Sequence, residues 1–370
     1  GSRTQVKSVK YKITVLPGDG VGPEVMKAAL AVLNEIGRLF GVAFSLTTEL
    51  IGGCCYEKHG VVLTSDTLEA CRKADAVLLG AVGGPEWDSL PHKSKPETAL
   101  LRLRKELGLY SNLRPATVST HLLENSPLRS EVIQNVDLLI VRELTSGIYF
   151  GTPRGYDQSQ GWNTLLYTRK DVEQIAHTAF QLAEKRQNGV TSIHKANVLE
   201  SSQFWKSVVH DVHRSYQHVS LSDMYVDNAA MQLVSAPRQF DVILTQNMFG
   251  DILSDIAATI SGSLGMLPSA SLGEKHAMYE PVHGSAPDIA GRDTVNPIGM
   301  IASVAMMFNH SLDMPDAGDL ILRSIEAALA SGYRTEDILK KSEKQFTTTE
   351  MTTAIIRSMN KIHKETAVMV

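Results

Sequence analysis

Short apolar runs alternate with longer segments of helical period along the whole chain. Residues 11–16 read as a strand, and 23–40 as a helix with Pro23 in its first turn, where a missing N–H costs no hydrogen bond. Residues 74–81 form an unbroken apolar run after a helix, the pattern of a parallel strand buried on both faces. Further strands are expected over 136–141, 190–193, 220–226 and 242–244, and helices over 98–107, 171–186, 201–215, 228–235 and 249–260. This order predicts an α/β chain with a mostly parallel sheet. Two Gly/Pro-rich stretches, 83–96 and 262–273, read as hinges or ligand loops. Residues 148–167 break the pattern. They alternate, are rich in Gly, Thr and aromatics, and lack a helical period. A two-stranded excursion is expected there. An isolated hairpin is only marginally stable, so a partner chain could supply its packing.

The chain has 370 residues, 43% of them hydrophobic, enough for a large core in one or two domains. Its 36 Lys and Arg against 40 Asp and Glu give a formal net charge of -4. A general attraction to nucleic acid or to an anionic membrane is therefore not expected, and an anionic ligand would need a local arginine cluster. The longest strongly apolar stretch, 298–308, is far short of the about 20 residues that span a bilayer. Cys54, Cys55 and Cys71 are odd in number and lack Cys-x-x-Cys spacing, which argues against a disulfide framework and a zinc site. The pair Gly1-Ser2 reads as a cloning remnant, and no secretory signal pattern follows, so a reducing, cytoplasmic setting is expected.

Six segments carry residues suited to chemistry. LPGDGVGPE (16–24) joins a strand to a helix. Gly18, Gly20 and Gly22 give G-x-G-x-G and not the dinucleotide G-x-G-x-x-G, so a tight turn is the competing reading. No G-K-[ST] follows, which removes a phosphate-transfer loop. Asp251 and Asp255 stand four apart on one helix face. Two like charges there repel by roughly a few tenths of a kcal/mol. A divalent cation would reverse that sign, and oxygen-only donors suit Mg²⁺ or Mn²⁺. The alternative is that they favour the helix N-terminus, which suits Asp251 better than Asp255.

Asp227 ends a strand and starts a helix, a position for a ligand-binding carboxylate or for an N-cap. Lys195 closes an apolar strand, where a lowered pKa would make it a proton acceptor; a surface lysine is the alternative. Its neighbour His194 should face the other way and is read as structural. Arg104, Arg114 and Arg142 could converge on a dianion through paired hydrogen bonds, or each could form a surface ion pair, as Arg102 and Lys105 are expected to do. The loop from Glu280 to Gly291, followed by Asn296-Pro297, offers an Asp that could accept from a ribose hydroxyl, or only Asx turns.

Taken in order, LPGDGVGPE (16–24), ETALLRLRKELGLYSNLRP (97–115), VRELTSGIYFG (141–151), HKANVLE (194–200), YVDNAAMQL (225–233), NMFGDILSD (247–255) and HGSAPDIAG (283–291) resemble the β-decarboxylating dehydrogenases. That family includes isocitrate, isopropylmalate, homoisocitrate and tartrate dehydrogenases. The resemblance runs from about residue 11 to about residue 310. It departs at Ser146, where a glycine is frequent, and over 1–9, which are unmatched.

The resemblance implies a three-layer α/β fold that is not a Rossmann fold, with two domains and a cleft between them. Residues 1–108 and 263–370 would form a terminal, cofactor-side domain, and 109–262 a central dimerisation domain with an intersubunit arm at 148–167. It implies a homodimer whose active site is shared by both chains. It further implies oxidation and decarboxylation of a small 2-hydroxy dicarboxylic acid with NAD and Mg²⁺ or Mn²⁺. Arg104, Arg114 and Arg142 would hold the malate carboxylates. Asp251 and Asp255 of one chain with Asp227 of the other would bind the metal. Lys195 of the partner chain would take the hydroxyl proton, tuned by Asp227, and Tyr149 would protonate the enol carbon. The loops 84–97 and 284–296 would hold the dinucleotide, with Gly84, Glu97, His283, Gly284, Ser285, Ala286, Asp288, Ile289 and Asn296 as its contacts.

Two choices within the family follow from side-chain chemistry. NADP-using relatives present Lys-Tyr where this chain has Asp288-Ile289, and a carboxylate there would repel a 2′-phosphate, which points to NAD. Isocitrate dehydrogenases hold a third carboxylate with hydroxyl and amide groups on the Arg104 helix. Here that face carries Glu97, Leu100 and Leu101, which would repel a carboxylate and accept an isopropyl group, burial of which contributes roughly 2 kcal/mol. Tartrate or homoisocitrate oxidation is the rival within the family. A binding protein that kept the scaffold is the rival outside it, disfavoured because it needs neither Lys195 nor Tyr149.

Overall fold

The computed structural model describes residues 9 to 369; the pair Gly1-Ser2 lies outside them. Among the described residues the strands are β1 Lys10–Gly18, β2 Ala43–Thr48, β3 Ala76–Ala81, β4 Leu109–Thr117, β5 Asp137–Glu143, β6 Gly155–Tyr156, β7 Gly161–Trp162, β8 Gly189–His194, β9 Ser220–Tyr225, β10 Val242–Thr245, β11 Pro268–Gly273 and β12 Ala277–Pro281. The chain divides into two compact units. The first comprises the chain up to Gly108, Leu264–Ala270 and the chain from Lys275; the second is Leu109–Ser263 with Ser271–Glu274.

In the first unit β1 lies between β2 and β3, and β12 pairs with β3, all in parallel. The helix Gly22–Phe40 starts with proline in its first turn and buries Val25, Ala29, Val32, Leu33 and Ile36 along one face. The apolar stretch 298–308 lies in the helix Ile298–His310 and is buried without a break, as expected of a helix apolar on all sides. No helix among the described residues is long and apolar enough to cross a membrane.

In the second unit β5, β10, β8 and β9 run parallel in that order, and β4 pairs antiparallel with β5. Leu138 and Ile140 of β5, Ile193 of β8 and Ile243 of β10 pack with Leu233 and Leu253 of the helices Val226–Ser235 and Asn247–Ala258. Trp205 is fully buried on the helix Glu200–His213, and its indole N–H donates to Ser192 Oγ at 3.1 Å. The excursion 148–167 contains the antiparallel pair β6 and β7, as its alternation predicts.

One expectation is corrected, and two further features emerge. The stretch 262–273 is not a ligand loop: Leu264–Met266 is a short turn and β11 follows, with Ser269, Ala270 and Ser271 buried. Its small residues imitate a loop in composition, while Pro268 sits at the first strand position, where its missing donor does no harm. Within 263–370, two short segments fall in the other compact unit. Ser263 and Ser271–Glu274 belong to the second unit, where Asn112 Nδ2 donates to Ser271 Oγ at 3.3 Å in a buried setting. Finally, β4 is a strand where only the Arg114 motif is singled out in sequence, because Pro115 and the polar residues mask its alternation.

Candidate active site

The second unit carries Arg114 within β4, Arg142 at the end of β5, and Asp251 and Asp255 on the helix Asn247–Ala258. The β4/β5 register sets Asn112 opposite Arg142, so Arg114, two residues along, shares Arg142's face. Arg114 donates to Asn112 Oδ1 at 3.0 Å and to Ser254 Oγ at 3.1 Å. Arg142 is buried; its Nε and Nη2 donate to Asn247 Oδ1 at 3.1 and 2.8 Å, and Nη2 lies 3.6 Å from Asp251 Oδ2. Gly250 makes this approach possible, since a Cβ there would lie 2.7 Å from Arg142 Cγ and 2.3 Å from Thr245 Oγ1.

Asp251 also accepts the Tyr149 phenol proton at 2.7 Å. Burial and this hydrogen bond push the Tyr149 hydroxyl up to about 12, so it stays protonated across the physiological range. Asp255 lies one turn beyond Asp251 on the same helix. Neither aspartate is in the first turn of that helix, so the helix-dipole alternative falls away. Asp227 is likewise not an N-cap. That position is Tyr225, and Asp227 is the second residue of the helix Val226–Ser235. Asp227 is exposed and accepts Lys195 Nζ at 2.8 Å, a hydrogen bond that holds its carboxyl below the usual range.

Two residues outside the expected set organise this region. Asn247 is buried; besides accepting from Arg142, it donates Nδ2 to Ser146 O at 3.0 Å, and its backbone N–H donates to Tyr167 Oη at 2.9 Å. It thus ties the Arg142 strand to the turn that leads to Tyr149. Glu143, next to Arg142, accepts the backbone N–H groups of Thr145 and Ser146 on that turn. Burial pushes its carboxyl up to about 8, against the lowering effect of those two N–H groups. Such a group binds a proton in the folded state that the unfolded chain releases near 4.5, the ordinary value for this carboxyl. Its contribution is therefore full below about 4.5 and is lost as pH rises to about 8. Glu143→Gln should remove this slope. The melting-temperature gap between variant and wild type, measured across that window, should move in the variant's favour with rising pH; a constant gap would show that Glu143 does not titrate there.

The first unit carries the remaining expected residues. Glu97, Leu100, Leu101 and Arg104 lie on the helix Pro96–Glu106 at spacings that share a face. Arg104 Nη2 lies 3.8 Å from Glu280, while its Nε is buried without a hydrogen-bond partner. The glycine-rich turn is a structural clamp. Val21 N–H donates to Ser285 O at 2.7 Å, and a Cβ on Gly20 would fall 2.1 Å from that same oxygen. This braces the loop that carries His283, Gly284, Ser285, Ala286, Asp288 and Ile289. His283 is held neutral by burial, while Asp288 is exposed. Asn296 is buried and donates to Asp337 at 3.1 Å. Gly84 precedes the turn Pro85–Trp87, whose Trp87 is packed and donates to Glu57 at 2.9 Å.

No group of three carboxylate, histidine or cysteine side chains suited to a metal occurs among the described residues. Asp251 and Asp255 stand one turn apart on one helix as a pair of carboxylate oxygen donors.

The chain matches the family model described as isocitrate/isopropylmalate dehydrogenase over residues 12–355. It is 58% identical to the 3-isopropylmalate dehydrogenase of Chlorobaculum tepidum over 347 residues, covering 94% of this chain and 99% of the relative. It is 50% identical to that of Aquifex aeolicus over 357 residues, 95% of this chain and 98% of the relative. Among solved structures it is similar to the isocitrate dehydrogenase of Methylococcus capsulatus, with TM-score 0.82 and 34% identity, over 94% of this chain and 99% of the other. It is also similar to a β-decarboxylating dehydrogenase of Thermococcus kodakarensis, with TM-score 0.80 and 35% identity, over 95% of this chain and 97% of the other.

Proposed function

We propose, from the premise that the chain belongs to the isocitrate/isopropylmalate dehydrogenase family, that it oxidises and decarboxylates 3-isopropylmalate to 4-methyl-2-oxopentanoate with NAD, in leucine biosynthesis. The observation that carries this is the network around Asp251, in which a protonated phenol, a carboxylate and a buried arginine meet through Tyr149 and Arg142.

The roles follow from the chemistry of each group. Arg114 and Arg142, with Arg104 of the first unit, bind the substrate carboxylates by charge-assisted hydrogen bonds. Lys195 takes the hydroxyl proton on Nζ, and Asp227, bonded to that nitrogen, fixes its position. Tyr149 keeps its proton at neutral pH and donates it to the carbon left by the departing carboxylate. Leu100, Leu101 and the stem of Glu97 receive the isopropyl group. Bound NAD supplies the hydride acceptor, and a bound Mg²⁺ or Mn²⁺ supplies Lewis acidity toward the substrate oxygens. Asp251 and Asp255 would hold that cation. Gly84, Glu97, His283, Gly284, Ser285, Ala286, Ile289 and Asn296 would line the dinucleotide, with the exposed Asp288 carboxylate set against a 2′-phosphate.

The working form is a homodimer with a shared active site. Lys195 and Asp227 bond to each other, and Asp227 is 70% exposed in the single chain, as a pair presented to a second copy would be. The second unit leaves Tyr156, Leu166, Val198, Met231 and Ile252 each more than half exposed, apolar surface that a second copy would cover. Residues 109–262 are accordingly the dimerisation portion and 148–167 its intersubunit arm, while 1–108 and 263–370 supply the cofactor side, save the short segments noted above. A cytoplasmic location agrees with three unpaired cysteines, of which Cys55 and Cys71 are buried.

The test is NADH formation by the purified protein with Mg²⁺, offering 3-isopropylmalate, isocitrate, homoisocitrate, malate and tartrate separately, with NADP in a parallel set. The expected result is strong preference for 3-isopropylmalate and NAD, abolished by a chelator. Faster turnover of another acid would show that Glu97, Leu100 and Leu101 do not select the side chain. No activity with any acid would favour a binding protein.

A further inference from the structure

We propose that His194, oriented by Asp223, is a positioning residue for Lys195, fixing the peptide from which the proton acceptor projects. This rests on the assignment of Lys195 as that acceptor.

His194 ends β8 and is fully buried. Its Nδ1 lies 3.1 Å from the backbone N–H of Ala196. A backbone N–H can only donate, so Nδ1 must accept and the ring proton must sit on Nε2. That Nε2–H then donates to Asp223 Oδ1 at 2.9 Å. The other carboxylate oxygen of Asp223 lies 2.6 Å from His210 Nε2 on the helix Glu200–His213. Burial alone would raise the Asp223 carboxyl, but its two histidine partners outweigh that and keep it ionised. The carboxylate thus selects the one tautomer of His194 that can accept from Ala196.

The result is a clasp on both sides of Lys195. Its own N–H donates to Ser202 Oγ at 3.0 Å, and its carbonyl accepts from Val198 and Leu199 at 3.0 and 2.9 Å. The next N–H, that of Ala196, is held by His194. The Tyr225 ring stands edge-on to His194 at 6.1 Å and lies 6.0 Å from Lys195 Nζ, which reaches Asp227. An aliphatic pair would fill the space of His194 and Asp223 without desolvating a carboxylate. It could not hold the Ala196 N–H, which is the contact that fixes where the lysine side chain begins.

The experiment is a double-mutant cycle on the full-length protein, reading kcat, both KM values and the melting temperature. His194→Phe should lower kcat about 10- to 100-fold, the scale of a misplacement of about 1 Å. KM for 3-isopropylmalate and for NAD should stay within about twofold of wild type. His194→Asn, whose side-chain oxygen can accept from the N–H two residues on, should recover most of the loss. In a Lys195→Ala background His194→Phe should cost nothing further. Equal losses in both backgrounds, or an unchanged kcat with a lowered melting temperature, would mean that His194 serves only the fold. Should His194→Phe not fold, Asp223→Ala, at a half-buried position, reads the same cycle. If Lys195→Ala alone leaves turnover intact, it is the assignment of Lys195 that fails.

Discussion

Replacing Lys195 by Ala should lower turnover of 3-isopropylmalate about 10²- to 10⁴-fold, the usual contribution of a positioned acid or base. The side chain is anchored at both ends: its peptide by Ser202 and the turn 195–199, its terminal nitrogen by Asp227 at 2.8 Å. The lost function is a proton acceptor at one fixed point, which a smaller residue leaves to water. NAD affinity should be unchanged, because the dinucleotide contacts proposed above lie on the loops 84–97 and 283–296, in the first unit. Steady-state kinetics with direct NAD binding separates the two effects. Turnover within about twofold of wild type would remove Lys195 from the mechanism. A parallel loss of NAD affinity would instead mean that the substitution reaches the cofactor loops.

The groups that periodicity could find are those at strand ends and on helix faces. Arg142 and Lys195 stand at or just beyond the ends of β5 and β8, and Asp251 and Asp255 share one face of a helix whose apolar positions mark its period. What could not be read is the set of polar residues whose partners are far away in sequence. Asn247 gains meaning only when Arg142 and Ser146 are brought to it across about a hundred residues. Glu143 reads as a charged residue beside an arginine until burial shows that its oxygens cap a turn. The strand β11 was hidden for another reason. A strand of Ser, Ala, Leu and Gly has the composition of a loop, and only its pairing makes it a strand. Asp227 shows the reverse case: of its two readings the N-cap fails, because the helix begins at Val226, two residues earlier than its apolar period suggests.

Asp19 is the buried polar residue from which the largest loss of stability is expected. It sits in the glycine-rich turn at 4% exposure. Its Oδ2 accepts the backbone N–H groups of Gly53 and Gly83 at 2.7 and 2.8 Å, and its Oδ1 accepts that of Cys54 at 2.8 Å. One carboxylate thus joins the turn after β1, the start of the helix Gly53–His59 and the loop that leads to Gly84. Alanine would leave three donors without acceptors, two of them in buried bonds. An unsatisfied buried donor costs about 1 to 3 kcal/mol, so a total near 3 kcal/mol is expected even if water reaches one of them. For a unit of this size that corresponds to a fall in melting temperature of roughly 6 to 12 °C. Asn, which retains one acceptor oxygen, should lose less. NAD affinity should weaken in the same order, since Gly83 holds one proposed dinucleotide loop and Val21, two residues from Asp19, holds the other through Ser285. Calorimetry of the three proteins with and without NAD tests both parts. A melting temperature for Asp19→Ala within about 1 °C of wild type would mean that the three N–H groups find other partners, and that the turn is held by its glycine backbone contacts alone.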